Sequence, residues 1–252
     1  MALIRQESFP RERLDPTRRT GLILCGMGGP DGPEAVVPFL RNLFSDPQIF
    51  PVPRPFAPLV GGMIARLRGP KVTRRYRQMN PDCASPQIET TALQAAELSH
   101  LLQAYGLDVV AGTAMRYWHP FAAEAVADLL AKGARQFLVV PMYPQYSSAT
   151  GGSTLQAVWD ALRASGQQTP VHMVPAWGLL PGFVAALSRP AIARLTAWAQ
   201  DSVPPGECAV VYVAHSLPQS FIAQGDPYLA HTEATVEAVH TRITKHLAEA
   251  GQ

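Results

Sequence analysis

Short apolar segments alternate with longer amphipathic segments along most of the chain. Four apolar segments have the length of a strand and end in glycine, proline or a polar residue, which is typical of buried parallel strands. They are residues 21–25, 107–111, 136–141 and 208–214. Residues 171–175 are a weaker candidate, and residues 113–115 extend the second strand.

The segments between these strands carry apolar positions at helical spacing, which predicts amphipathic helices. Gly133 follows one of them, as glycine does after the last residue of many helices. Strands that alternate with helices predict an α/β fold whose parallel strands are joined by right-handed crossovers. Six strand candidates suit one large sheet or two small ones. The predicted helices are residues 90–105 (with Leu93, Ala96, Leu101 and Leu102 on the apolar face), 121–132, 154–164, 183–199 and 232–250.

Residues 50–70 interrupt this alternation. Proline removes a helical hydrogen bond, so we expect a kinked segment rather than a regular crossover helix. The segment is either a hydrophobic patch covered by the rest of the fold or an apolar lip over a pocket or a membrane surface. Its prolines are Pro51, Pro53, Pro55 and Pro58, and its apolar side chains are Phe56, Leu59, Val60, Met63 and Ile64.

Composition narrows the class of protein. Of 252 residues, 47% are apolar and 16% charged, which is ordinary for a globular protein. The net charge of +2 gives no reason to expect nucleic acid as a partner. Basic residues cluster only at residues 66–77. This cluster is either a solvated helix face or a surface that faces an acidic ligand.

Cysteine usage and the N-terminus bear on location. The three cysteines lie far apart, at Cys25, Cys83 and Cys208, so we expect a reducing compartment and neither a zinc site nor an iron–sulfur cluster. Residues 1–19 are polar and do not resemble a signal peptide. No apolar run is long enough to cross a bilayer, so we expect a soluble or peripheral protein.

Candidate ligand-binding residues follow the strands, because open parallel sheets bind ligands beyond the carboxyl ends of their strands. Residues 25–32 predict a tight turn but depart from the dinucleotide-binding pattern at Asp31. Arg116 stands beside Tyr117 and Trp118. This group suits a flat anionic ligand, or else a buried arginine paired with an acidic residue among core aromatics.

The later strands add two further candidates. Tyr143 begins a polar loop that leads to a helix start at Ser153 or Thr154, where backbone N–H groups can hold a carboxylate. His215 ends the segment 208–214, where neutral imidazole can ligate a metal or accept a proton. From the residues alone, the plain structural roles remain open for both.

Read in order, several segments resemble the ferrochelatase family closely. Each segment alone is a weak signal, whereas their number and order over roughly residues 20–230 are specific. The matching segments are 26–30 (GMGGP), 39–47 (FLRNLFSDP), 69–71 (GPK) leading to Tyr76, 85–86 (SP), 115–117 (MRY), 143–147 (YPQYS) and 214–218 (AHSLP) with 225–228 (GDPY).

The resemblance implies two Rossmann-like domains, residues 18–135 and 136–252, with a porphyrin cleft between them and the second domain incomplete. It makes the segment near 50–66 an apolar lip over the cleft, with contact to a membrane surface allowed. It implies insertion of Fe²⁺, as substrate, into protoporphyrin IX in the cytoplasm, with no tightly bound cofactor. His215 is the implied metal ligand or acceptor of a pyrrole proton. The implied porphyrin-binding residues are Met27, Arg68, Tyr76, Arg116, Tyr117 and Tyr143.

Three departures from the family stand out. The turn at residues 79–84 is longer and stiffer than the family's glycine-rich one. Ser148 stands at the position of a cluster cysteine in the family's iron–sulfur members, so we expect no cluster. The family continues past residue 252 with a His-x-Glu-Thr-Leu segment, whose glutamate works opposite the histidine. We therefore weigh an active ferrochelatase, a related cobalt or nickel chelatase, an impaired porphyrin- or haem-binding protein, and a truncated product. The oligomeric state stays open.

Overall fold

The computed structural model describes residues 3–49, 52–53 and 55–249, apart from the side chain of Pro205. Their Cα positions form two compact units. The first runs up to Tyr143 and includes Ser148–Pro175, and the second holds Pro144–Ser147 and the residues from Ala176 onward. Within the described part of the chain, no helix combines the length and the apolar character needed to cross a membrane.

The first unit is built on a four-stranded parallel sheet with the strand order β2-β1-β3-β4. Every residue of the central strand β1 is buried, as expected for a parallel strand covered on both faces. Parallel pairing places the loops after β1, β2 and β3 at one edge of the sheet. The strands are β1 (Thr20–Gly26), β2 (Val109–Met115), β3 (Gln136–Pro141) and β4 (Val171–Met173).

Helices flank this sheet, so the predicted α/β class is confirmed. All five predicted helices form, and three helices that the pattern did not indicate are added, namely α1, α2 and the short α7. The first unit holds α1 (Val36–Phe44), α2 (Ala57–Met79), α3 (Pro86–Ala104), α4 (Ala122–Ala131) and α5 (Ser153–Ala164), and the second holds α6 (Pro181–Gln200), α7 (Gln219–Ala223) and α8 (Tyr228–Glu249).

The prediction that the proline-rich segment lacks a regular helix is wrong over most of its length. Residues 57–79 form one continuous helix, α2, with Pro58 in its first turn, where its missing N–H costs no hydrogen bond. Its buried residues are Ala57, Gly61, Ala65 and Gly69, a stripe of small side chains. A side chain at Gly61 would overlap Ser45, so glycine lets α2 approach the turn after α1 closely. Phe50, Pro51 and Arg54 of the expected lip lie outside the described residues.

The predicted apolar face of α3 is wrong for Leu93, Ala96 and Leu101, whereas Leu102 packs against the buried cluster that contains Leu22 and Val109. Leu93 and Leu101 are 62% and 59% exposed, whereas Thr91, Ala95 and Ser99 are buried. These small residues, spaced by four, allow the helix to lie close to the sheet, and the Ser99 hydroxyl donates to the Val109 carbonyl at 3.4 Å. Helix α3 therefore buries its small residues against β2 and leaves the larger Leu93 and Leu101 exposed.

The second unit contains helices but no strand among its described residues. Helices α6 and α8 pack through Val184, Val239 and Ile243. Residues 208–214, predicted as a buried strand, form no regular secondary structure and are largely exposed, with Val211 and Val213 at 79% and 90% exposure. That prediction is wrong here because the described part of this unit offers no neighbouring strand to pair with.

The compact units divide the chain differently from the predicted domains. Strands β3 and β4 and helix α5 all follow residue 135, yet they belong with the N-terminal elements around β1. The division at residue 136 remains a prediction.

Candidate functional site

Three predicted motif segments meet at the carboxyl ends of β1 and β2. The backbone N–H groups of Arg116 and Tyr117 donate to the carbonyls of Gly26 and Met27 at 2.8 and 3.0 Å. On the other side of the loop, the Ser85 N–H donates to the Pro30 carbonyl at 2.7 Å. Residues 26–30 are therefore held by the segments 85–86 and 115–117. The sheet-edge argument predicted the proximity of 26–30 and 115–117 but not the contact with 85–86.

An aromatic and aliphatic cluster lies beneath this loop. Tyr117 is only 4% exposed and belongs to the buried cluster, against which Met27 and Tyr76 pack as partly buried side chains. The guanidinium of Arg68 lies over the ring of Phe44, 5.2 Å from its centroid, and Phe44 packs on the same cluster. Four of the six predicted porphyrin-binding residues are thus in or next to one cluster. Its buried members are Val36, Phe39, Leu40, Ala65, Cys83 and Tyr117.

Arg116 and Tyr117 share one acidic partner, Asp46. Arg116 Nη2 and the Tyr117 hydroxyl each donate to Asp46 Oδ2 at 2.8 Å. The side chain of Asp46 is 5% exposed and that of Arg116 is 29% exposed. The sequence left open a ligand-binding Arg116 or one paired with an acidic residue. The pair exists, and the remaining exposure of Arg116 leaves room for a ligand as well.

Three tyrosines of this unit, Tyr76, Tyr117 and Tyr143, are held in the protonated form. Burial, followed by the Asp46 carboxylate, raises the pKa of Tyr117 far above its ordinary value of 10. Burial also raises the pKa of Tyr143, which follows β3, and more weakly that of Tyr76. Near neutral pH these phenols can donate hydrogen bonds but cannot serve as bases, so a proton acceptor has to come from elsewhere.

Sequence reasoning missed the role of Asp46. The residue lies in the segment 39–47 that contributed to the family resemblance, but nothing in its position suggested a partner about 70 residues away. The available signal was a lone carboxylate directly after an apolar helix that contains Phe39, Leu40 and Phe44. A charge in such a place is expected to be paired.

His215 lies in the second unit, in the exposed irregular segment that precedes α7. Its backbone carbonyl accepts a hydrogen bond from the Tyr228 hydroxyl at 2.9 Å. A cavity of about 460 Å³ lies beside this segment and is lined by His215, Tyr228 and apolar side chains of α6 and α8. The predicted histidine is therefore accessible and anchored through its main chain.

The two other motifs of the second unit hold each other. Asp226 is buried, and its carboxylate accepts from the Ser147 hydroxyl at 3.1 Å and from the Tyr228 N–H at 3.0 Å. The Tyr146 N–H donates to Nδ1 of His231 at 3.3 Å. Segment 144–147 is thereby fixed to the start of α8, which also carries the tyrosine that contacts His215.

No resident metal centre is indicated in the described ranges, where no group of three or more His, Cys, Asp or Glu side chains could hold an ion. Cys25, Cys83 and Cys208 are free thiols. The expected absence of an iron–sulfur cluster remains a prediction. So do the individual roles of His215 and of the six predicted porphyrin-binding residues.

Comparison with known proteins gives one consistent result. The family model described as Ferrochelatase matches residues 19–250. A ferrochelatase of Parasynechococcus marenigrum (strain WH8102) is 35% identical over 234 residues, which are 91% of this chain and 58% of that relative.

Two further relatives, both named ferrochelatase, are 38% identical to this chain. One, from Geobacter metallireducens, matches over 92% of this chain and 72% of its own length. The other, from Desulfotalea psychrophila, matches over 87% of this chain and 67% of its own length. The chain thus spans between about three fifths and three quarters of the length of these relatives.

Proposed function

The chain belongs to the ferrochelatase family, and from this premise we propose that it inserts Fe²⁺ into protoporphyrin IX to form protohaem. The observation that carries the proposal is the convergence of the motif segments 26–30, 85–86 and 115–117 around the Tyr117 cluster. The family match over residues 19–250 supports the same reaction class.

The reaction exchanges one divalent cation for two pyrrole protons. Both N–H bonds of the macrocycle break, both protons leave and Fe²⁺ forms bonds to the nitrogens, so charge is balanced without an oxidant or reductant. A base of suitable pKa near the macrocycle accelerates the proton loss. His215 is our candidate, because neutral imidazole accepts a proton and also tolerates Fe²⁺ as a ligand.

The first unit supplies groups that suit the porphyrin itself. Met27, Tyr76 and Phe44 offer an apolar surface for a flat ring. Arg116 and Arg68 carry the positive charge that a propionate requires. The protonated phenol of Tyr143 adds a hydrogen-bond donor without adding negative charge, whereas the Tyr117 hydroxyl already donates its proton to Asp46.

The test is anaerobic insertion of Fe²⁺, with Zn²⁺ as a second metal, into protoporphyrin IX by the purified 252-residue chain. We expect turnover in absorption spectra, and we expect His215→Ala to abolish it while porphyrin affinity is retained. His246→Ala, an exposed histidine in the last turn of α8, is the matched control. Equal activity of His215→Ala and wild type would remove the assigned role.

The same assay decides between this function and its alternative. Porphyrin binding without turnover by the wild-type chain would favour an impaired porphyrin- or haem-binding member of the family. Faster insertion of cobalt or nickel than of iron would favour a different chelatase. Comparison of protoporphyrin with coproporphyrin tests the choice of porphyrin, for which we propose protoporphyrin.

A peripheral membrane contact through residues 50–66 is a further part of the proposal. Phe56, Leu59 and Met63 are between 57% and 76% exposed at the start of α2. The same helix carries six basic residues and no acidic one, which suits an anionic bilayer surface. We expect the chain to co-sediment with vesicles that contain phosphatidylglycerol, and Leu59→Ser with Met63→Ser to reduce this binding. A cytoplasmic location is proposed with it.

A further inference from the structure

Asp46 is a buried carboxylate in the turn directly after α1, and it accepts hydrogen bonds at both oxygens. The Gln48 N–H donates to Oδ1 at 2.9 Å. The Tyr117 hydroxyl and Arg116 Nη2 donate to Oδ2 at 2.8 Å each. A carboxylate that is only 5% exposed is costly unless it is paired in this way.

One nitrogen of the Arg116 guanidinium is fixed, and the group has further N–H donors that bond no described residue. Nη2 is fixed by Asp46, and the guanidinium carbon lies 5.4 Å from the centroid of the Tyr117 ring. Nε is buried and has no hydrogen-bond partner among the described residues. The contacts with Asp46 and Tyr117 restrict the guanidinium plane while leaving donors on it for another acceptor.

We propose that Asp46 is a positioning residue, which holds the Arg116 guanidinium in the orientation that receives a porphyrin carboxylate. This inference rests on the proposed function. Asp46 also balances the charge of Arg116. Because the two charges balance, the pair binds an anion mainly through the directed N–H groups of the pre-oriented Arg116 guanidinium and less through net charge. Pre-orientation strengthens binding because less side-chain freedom is lost when the ligand arrives.

A purely structural role for Asp46 makes a different prediction. Asp46 also shapes its own turn, since the Gln48 N–H bonds its side chain and the Ile49 N–H bonds its carbonyl. If that were its whole purpose, loss of the carboxylate would lower stability. It would affect binding of all porphyrins alike and would act independently of Arg116.

The experiment is a double-mutant cycle on porphyrin affinity, measured by fluorescence quenching with the full chain. Its variants are Asp46→Asn, Arg116→Gln and the double variant, each tested with protoporphyrin IX and with its dimethyl ester. We expect Asp46→Asn to weaken binding of the dicarboxylate by about tenfold, as expected for one charge-assisted hydrogen bond. Binding of the ester should stay within about twofold, and the double variant should bind no more weakly than Arg116→Gln.

A second variant protects the test against misfolding. Asp46→Glu keeps the negative charge and moves the carboxylate by one methylene, so it separates position from charge. We expect the same selective loss for the dicarboxylate. Asp160→Asn, which removes an exposed carboxylate bonded to Gln156, is the matched control. Thermal unfolding of every variant checks that the fold is retained.

The outcomes separate the inference from the proposed function. If Asp46→Asn and Asp46→Glu bind the dicarboxylate as wild type does, or if their losses add to that of Arg116→Gln, the positioning role is refuted and the function stands. If the wild-type chain binds no porphyrin, the proposed function fails and the positioning role fails with it.

Discussion

At the scale of single residues, Gly28 and Gly29 are required for different reasons. Gly28 has φ of +80°, a conformation that residues with side chains rarely adopt. Gly29 is required because a Cβ there would lie 2.4 Å from the Cβ of Ser85. The loop that ends β1 is thus shaped by one backbone conformation and by one close approach.

Gly29→Ala should destabilise the protein by about 1–3 kcal/mol, the usual range for an overpacked site. Ser85→Gly in the same chain should restore most of this loss, because it removes the atom in conflict, and replacing a serine N-cap by glycine costs only a few tenths of a kcal/mol. Chemical denaturation measures both changes.

Gly32→Ala is the control for this pair, since no atom lies within 4 Å of its added Cβ and its φ of −179° suits any residue. If Gly29→Ala were as stable as Gly32→Ala, the close approach to Ser85 would not exist in solution.

The environment of Glu124 predicts that the stability of the protein depends on pH. Hydrogen bonding by the Phe121 N–H, and then by His119, lowers the pKa of Glu124 below its ordinary value of 4.5. A lowered pKa in the folded state stabilises the protein above about pH 4.5, and this contribution is lost as the pH falls through the folded-state pKa. The difference in melting temperature between wild type and Glu124→Gln, measured by thermal unfolding, should therefore be largest at neutral pH. The two melting temperatures should converge once the pH has fallen below the folded-state pKa of Glu124. A difference in melting temperature that grows as the pH falls would contradict this account.

Met27, Arg116, Tyr117 and Tyr143 were predictable as candidates because each follows a strand, whereas Arg68 and Tyr76 lie within α2 and came from the family resemblance alone. Arg116 and Tyr143 stand directly after β2 and β3, and parallel pairing brings such loops to one edge. The partner of Arg116 was not predictable, because Asp46 reaches it through a fold-specific contact between α1 and the loop after β2. The positions of strands are visible in a sequence pattern, whereas pairing between side chains distant in sequence is not.

At the scale of elements, the sequence predicted the strands of the sheet and five helices, but it missed α2, misplaced a strand at residues 208–214 and predicted packing faces poorly. The strands β1 and β3 are short apolar runs covered on both faces, which is a strong local signal. The faces of α2 and α3 were missed because small residues, rather than large apolar ones, are buried there. Hydrophobic patterning assumes that burial follows size, and closely packed elements break that assumption.

The pair of helices in the second unit can be tested at one position. Ile243 is 3% exposed between α8 and α6, so Ile243→Ala should cost about 2–5 kcal/mol. We expect faster amide hydrogen exchange in α6 and α8, with protection of β1 and β3 retained.

The exposed Thr241→Ala on the same helix is the control for this substitution, because it removes only a 3.3 Å contact with Glu237. Faster exchange spread evenly over β1 and β3 as well would show that the two compact units do not open independently.

At the scale of the whole molecule, an exposed apolar segment should govern association. Val211 and Val213 stand largely in solvent, in an apolar segment that pairs with no strand among the described residues. Such segments favour strand pairing between chains. We expect Val211→Lys with Val213→Lys to reduce concentration-dependent self-association in light scattering.

The exposed Tyr105→Lys, which lies after α3, is the control for this pair. Unchanged scattering by the double lysine variant would assign the association to another surface.

The interleaving of the two units has a consequence for synthesis. Residues 144–147 emerge from the ribosome within the first unit's sequence, yet their partners lie in the second. The aspartate that accepts from Ser147 is 79 residues further along the chain. At about 5–20 residues per second, this segment waits roughly 4–16 s for that partner. Throughout this interval, β3 and α5 on either side of the segment can already fold. The four residues then form a protruding loop in the nascent protein, open to chaperones and proteases until α8 is made.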